Sequence, residues 1–312
     1  MRILVTGVYG FVGSTLIKKL VTETDHTVLG FGRLTAQKNL ARIKPGMPRL
    51  SIINGDLTGD ITELCEGIDV VIHTAAKTFV DHSIRSPGPF IQSNVVGTFN
   101  LLESARLNKV RRFIQVSTDE VYGPILAGMH TEESPINPSN PYAATKAAAD
   151  FLAQSYHTTY GMDTIITRTE NNVGPFQHPQ KVFSTFVRKI MAGEKLPVYG
   201  DGRHRRMWIH VEDHCAALMF LMETGEAGQI YNVAGSQELE NLELARRVLR
   251  EFGMGDEMIE FIDDRNIRPG HDRRYAISSA KIRFLGWQPL HSLDETIRTT
   301  VQWYRDNAWW MI

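Results

Sequence analysis

The chain of 312 residues is long enough for one large domain or two modest ones with a sizeable core. Its 42% hydrophobic and 22% charged content is that of a soluble globular protein, and a net charge of −1 argues against a nucleic-acid or anionic-membrane surface. Two cysteines far apart, Cys65 and Cys215, argue against a disulfide framework and have no zinc-ligand spacing, so no metal is expected and a reducing compartment fits.

The first predicted element is the apolar run Ile3-Leu4-Val5-Thr6, read as a buried strand rather than a signal peptide because Gly7 interrupts it at once. It leads into G-V-Y-G-F-V-G (7–13), and the residues from Ser14 to Val21 continue with helical periodicity. Strand, glycine turn and helix form the setting of a dinucleotide fingerprint. Gly7 permits the tight turn, Gly10 lets backbone approach a pyrophosphate, and Gly13 lets helix pack on strand. Phe11 and Val12 then bring helix N-terminal N–H groups to the phosphates. The bland alternative is a structural turn.

Further strands are expected at 27–31, 50–53, 70–74 and 113–116, with a helix over 90–108. This alternation predicts an α/β protein with a Rossmann-type doubly wound parallel sheet. Ligands of such sheets sit beyond the carboxyl ends of the strands, which singles out Asp56-Leu57, Thr74-Ala75-Ala76 and Ser117-Thr118. After the second strand, Gly30-Phe31-Gly32-Arg33 offers an Arg and no acid, the arrangement that accommodates a 2′-phosphate. NADP is therefore expected alongside NAD as the cofactor.

The densest chemistry lies between Ser117 and Lys146, from S-T-D-E-V-Y-G (117–123) to N-P-Y-A-A-T-K (140–146). Asn140 or Ser139 can cap a helix that begins at Pro141, and Tyr142 and Lys146, one turn apart, share its face. An ammonium beside a phenol favours the phenolate, which is then a usable base. Thr118, Asp119 and Glu120 add a hydroxyl and two carboxyls. Taken singly, each of these is more often a solvated or packing residue; the joint pattern points to redox chemistry on an alcohol. No window approaches the ~18 apolar residues of a membrane span, so the protein is expected in the cytoplasm.

These residues resemble the extended short-chain dehydrogenase/reductase superfamily, and within it the dTDP-glucose 4,6-dehydratase branch. The resemblance runs through T-G-x-x-G-x-x-G (6–13), H-T-A-A-K-T-F-V-D-H-S-I (73–84), S-N-V-V-G-T (93–98) and both halves of the Ser117–Lys146 stretch. It continues in R-T-E-N-N-V-G-P-F-Q-H-P-Q-K (168–181), L-P-V-Y-G-D-G (196–202), W-I-H-V-E-D-H (208–214) and R-P-G-H-D-R-R-Y (268–275). It implies a dinucleotide-binding domain over 1–170, rejoined by about 207–235, and a smaller, partly interleaved substrate domain over 171–312.

The resemblance also implies roles. Tyr142 and Lys146 would oxidise the sugar at C4, Thr118 would bond near the reacting oxygen, Glu120 would remove the C5 proton, and Asp119 would protonate the C6 hydroxyl. Ser93, Ser117 and Asn172 would join the cofactor site. Thr78, Asn171 and Lys181 would face the sugar and diphosphate; Pro197, Tyr199 and Asn241 would hold the nucleotide end; Arg206, Arg268 and His271 would neutralise the diphosphate. The substrate would be a nucleotide-diphosphate sugar, and helices at 90–108 and 142–160 would pair in a homodimer. A nucleotide-sugar 4-epimerase or decarboxylase is the nearest rival, although such relatives commonly lack the acid pair, and a non-catalytic cofactor-binding protein is a third reading. Met207 stands where the family usually has an acid, which is expected to alter how Arg206 is held. Lys77, the bulky Val8-Tyr9 pair and a short 123–140 stretch are further departures.

Overall fold

Ile3, Leu4 and Val5 have no solvent exposure, as expected of a central strand covered on both faces. In the computed structural model, which describes residues 1–44, 46–263 and 272–311, they form β1 (Arg2–Thr6), an interior strand of a seven-stranded sheet. The other strands are β2 (Thr27–Gly32), β3 (Leu50–Asn54), β4 (Val70–His73), β5 (Arg112–Thr118), β6 (Thr164–Thr169) and β10 (Ile230–Val233). All are parallel, in the order β10-β6-β5-β4-β1-β2-β3. The chain winds one way from β1 through β3 and the other way from β4 onward. The strand order thus reverses between β1 and β4, where open α/β sheets place their ligand crevice.

Helix α1 (Phe11–Glu23) packs against the sheet through Leu16, Ile17 and Leu20, and α2 (Val80–Arg85) follows β4. The expected 90–108 helix is interrupted. After the short turn α3 (Gly88–Phe90), residues Ile91–Val96 form a π-helical segment before α4 (Gly97–Leu107). The wider turn lets the buried Asn94 carboxamide bond out of the helix, accepting from Lys77 N at 2.8 Å and donating to Lys77 O and Thr145 Oγ1 at 3.0 Å. The long helix α5 (Pro141–Tyr160) starts at the expected Pro141 with Asn140 as its N-cap.

Beyond β6 a second lobe forms. It has a three-stranded sheet of β7 (Asn171–Val173), β9 (Arg205–His210) and β11 (Gln237–Glu240), and a pair formed by β8 (Leu196–Tyr199) and β12 (Ile259–Ile262). Of the 207–235 stretch, β9 lies in this lobe, α7 (Val211–Thr224) packs on α1, and β10 joins the main sheet. Helices α6 (Val182–Met191), α8 (Asn241–Glu251) and α10 (Leu293–Asp306) bury Phe183, Leu244 and Tyr304 in the lobe's own core, and α9 (Ala280–Phe284) sits against β10. Of the C-terminal tryptophans, Trp310 is fully buried and donates to Gln177 O at 2.8 Å, whereas Trp309 is exposed.

Candidate active site

The glycine turn joins β1 to α1. Gly7 has a φ of +74°, and a Cβ on Gly13 would lie 2.4 Å from Gly7 O, so bare backbone is required at both positions. No side chain caps α1 and its first turn carries no acid, which leaves its N–H groups to an anion. Tyr9, the bulky substitution in the turn, leans onto the apolar core, and its carbonyl accepts from Arg42 at 2.6 Å. Arg42 also donates to Phe176 O at 2.9 Å and stands 4.7 Å over the Trp310 ring, tying this turn to the second lobe.

A cleft of about 470 Å³ opens above the turn. Along its wall lie Gly7, Gly10, Phe11, Val12, Gly13, Arg33, Asp56, Leu57, Thr74, Ala75, Ala76, Ser93, Ser117 and Asn172, every residue singled out for the cofactor. One expectation changes in substance. Arg33 is not without an acid, because β3 pairs beside β2 and brings Asp56 Oδ2 to 2.7 Å from Arg33 Nη1. The acid arrives from the neighbouring strand end.

The same cleft contains Thr118, Asp119, Glu120, Tyr142 and Lys146. β5 ends at Thr118, and a 3₁₀ turn over Asp119–Tyr122 follows, with Thr118 Oγ1 accepting from Glu120 N at 3.3 Å and donating to Asp119 Oδ1 at 3.2 Å. Tyr142 and Lys146 are both buried on the face of α5 that meets β5, and Lys146 Nζ donates to Val116 O at 2.7 Å. Burial, and then the Glu120 carboxylate, push Asp119 up to about 7, against the pull of Arg206 and Thr118. Burial lowers Lys146 to about 8.

The expected ammonium-stabilised phenolate is not what this geometry favours. Burial and the Glu120 charge hold the Tyr142 phenol well above its ordinary value, with only the hydrogen bond to Thr118 lowering it. Lys146 is directed at Val116 O and pulled by Asp150 instead.

A second cleft of about 220 Å³ adjoins the first, and Thr78, Phe79, Asp119, Glu120, Asn171 and Lys181 border both. Its far end is formed by Pro197 and Tyr199 from β8, Arg206 from β9 and Asn241 at the start of α8. Among the described residues, the buried Asn241 side-chain oxygen has no hydrogen-bond partner. Lys181 Nζ donates to Thr78 O at 2.9 Å and stands 4.6 Å over the Phe79 ring. Arg206 donates to Asp272 O at 2.8 Å and stands 4.6 Å over Tyr275. Met207 points the other way, as strand alternation requires, into an apolar cluster with Val121, Tyr122 and Ala147. Its side chain is therefore not what holds Arg206. Arg268 and His271 lie outside the described residues.

Several lining residues were not singled out from sequence. Phe79 and His178 meet edge-on at 4.9 Å at the junction of the clefts, and Tyr275 supports Arg206. His214 Nδ1 pairs with Asn172 Oδ1 at 2.9 Å, and the buried Glu170 accepts from Gly235 N at 2.6 Å. Each stands inside a quoted motif, yet its pairing spans tens of residues. Among the described residues, His210, Glu212 and His291 are the one group with metal-ligand types close together; they line neither cleft.

A family model described as GDP-mannose 4,6 dehydratase matches residues 4–300. The chain belongs to this family. Among its similar relatives is a dTDP-glucose 4,6-dehydratase of Streptomyces niveus, 42% identical over 99% of this chain and 95% of that protein. A solved dTDP-glucose 4,6-dehydratase of Streptomyces venezuelae, with NAD bound, is 41% identical at a TM-score of 0.94, covering 99% of this chain and 98% of that one. A UDP-glucose 4-epimerase of Thermotoga maritima shares the fold at a TM-score of 0.90 but only 26% identity, over 99% of this chain and 100% of that one.

Proposed function

We propose that the chain is a nucleotide-sugar 4,6-dehydratase, an NAD-dependent hydro-lyase converting an NDP-hexose of the dTDP-glucose type to its 4-keto-6-deoxy form. The observation that carries this reading is one cleft wall bearing Thr118, Asp119, Glu120 and Tyr142 beside a glycine turn in which Gly7 and Gly13 must stay bare. The turn, the uncapped helix start and the strand-end residues fit a dinucleotide in residue type and placement. Bound there, such a cofactor would supply a reversible hydride acceptor for the oxidation at C4 and the reduction at C6.

The protein's own part is proton handling. Tyr142 takes the proton of the sugar 4-hydroxyl as a phenolate, a form that the positive charge of an oxidised nicotinamide in the same cleft would favour against the effect of burial, and the resulting 4-ketone acidifies C5–H. Glu120 removes that proton, while Asp119, whose burial lets it hold a proton near neutral pH, donates to the C6 hydroxyl so that water leaves. Glu120 later returns its proton to C5. Each turnover therefore leaves Tyr142 one proton up and Asp119 one proton down. Thr118, hydrogen-bonded to both, is the link through which that proton is restored.

Lys181 and Arg206 supply cations for the diphosphate, with Thr78 and Asn171 toward the sugar and Pro197, Tyr199 and Asn241 toward the base. NAD is preferred over NADP, because the Asp56 carboxylate already pairs with Arg33 and would repel a 2′-phosphate. A homodimer through α4 and α5 is supported by their exposed Phe99, Leu107, Phe151 and Tyr160. A cytoplasmic setting is supported by free cysteines and, among the described residues, by the lack of any helix long and apolar enough to cross a membrane. The test is a mass-spectrometric screen of nucleotide hexoses for loss of one water. Glu120→Gln and Asp119→Asn are each expected to lower that rate by roughly a hundredfold or more, and wild-type rates in both would overturn the assignment.

A further inference from the structure

The carboxamide of Asn140 is used at both ends. Its Oδ1 accepts from Ala143 N at 2.9 Å and caps α5, and its Nδ2 donates to Glu120 Oε2 at 3.1 Å. The cap settles which end is which. A backbone N–H needs an acceptor, so the nitrogen is the end left to meet the carboxylate. Pro141 at the first helical position fixes the backbone just beyond the cap, and Tyr142 follows it directly. One rigid helix start thus positions the phenol and holds a carboxylate that belongs to a different element, the turn after β5.

We propose that Asn140 is a positioning residue for Glu120: its amide nitrogen stabilises and aims the ionised carboxylate for the C5 proton. This rests on the reading of Glu120 as the C5 base. The other titratable groups facing Glu120 are Asp119 beside it, Tyr142 from α5 and Tyr275 beyond residue 272. Lys181 and Arg206 are the cations bordering the same cleft, with Asp81 as a further anion. Among these, Asn140 brings a neutral donor that does not itself titrate. Only a side chain with an acceptor and a donor at this length can do both jobs, and an Asp or a Ser can do just the first.

Two variants separate cap from donor. Asn140→Asp keeps a good cap but sets a second carboxylate beside Glu120; Asn140→Ser keeps the cap and withdraws the donor. Both are expected to unfold near the wild-type temperature. The acidic limb of the pH profile of kcat should move upward, by about one unit or more in the Asp variant and less in the Ser variant. In single turnovers of the Asp variant, reduced nicotinamide should accumulate transiently, because oxidation at C4 does not use Glu120. If the Asp variant folds poorly, the profile of the Ser variant decides. An unmoved acidic limb together with no build-up of reduced cofactor would overturn the proposal. Glu120→Gln run in parallel distinguishes the failures. If it turns over like wild type, the base assignment itself is wrong; if it is impaired while both Asn140 variants behave like wild type, only the role of Asn140 is.

Discussion

Replacing the acid Asp119 by Asn should stabilise the protein, and should do so mainly at high pH. Burial first, and the Glu120 charge second, raise the carboxyl from 3.8 to about 7. That is about three units, each equivalent to about 1.4 kcal/mol. The unfolded chain releases this proton near the ordinary carboxylate value and the folded chain only near 7, so between these limits the folded state binds more protons. Stability therefore falls as pH rises through that window, and the full penalty of about 4 kcal/mol stands above it. Asn has the same shape, can still accept from Thr118, and never ionises. Its amide must find partners in a buried site, which takes back roughly 1–2 kcal/mol. Chemical denaturation of both proteins, near pH 5 and near pH 8 in matched cofactor, gives the comparison. The stability of the variant relative to wild type should improve by about 2.5–3 kcal/mol between the two conditions, because the cost of the amide is the same at both, while its dehydration rate collapses. An offset that is the same at both would show that Asp119 is not held protonated and would refute the acid assignment.

Gly13→Ala should cripple the cofactor site, since its methyl would lie 2.4 Å from Gly7 O and 2.8 Å from Thr74 Oγ1, both at the turn itself. Calorimetry with NAD should show a loss of roughly a hundredfold in affinity alongside a destabilisation of about 1–3 kcal/mol. Arg33→Ala should leave NAD affinity within roughly threefold of wild type and leave NADP the weaker ligand, because the guanidinium is already paired with Asp56. A selective loss of NADP binding of tenfold or more would show that Arg33 reads a 2′-phosphate after all.

Much of the site was legible because its signals are local. The glycine turn, the cap and Pro at 140–141, and the one-turn spacing of Tyr142 and Lys146 are all decided within a few residues. What sequence missed depends on distant partners. Asp56 reaches Arg33 only because β3 lies beside β2, so the acid looked absent. The π-helical segment at 91–96 has no composition cue; it exists because Asn94 finds Lys77 and Thr145 across the fold. Met207 looked like a lost ligand of Arg206 until strand alternation turned it toward Val121 and Tyr122. The upward shift of Tyr142 follows from burial and from the carboxylates of Glu120, Asp119 and Asp150, none of which its spacing to Lys146 reveals.

The central claim is that hydride leaves C4 and comes back at C6 of the same sugar, within one cleft. A nucleotide hexose carrying deuterium at C4, turned over by the wild-type enzyme in unlabelled water and followed by NMR, tests it most directly. The label should appear in the C6 methyl group of the 4-keto product. Deuterium found again at C4, or lost to solvent, would contradict the account.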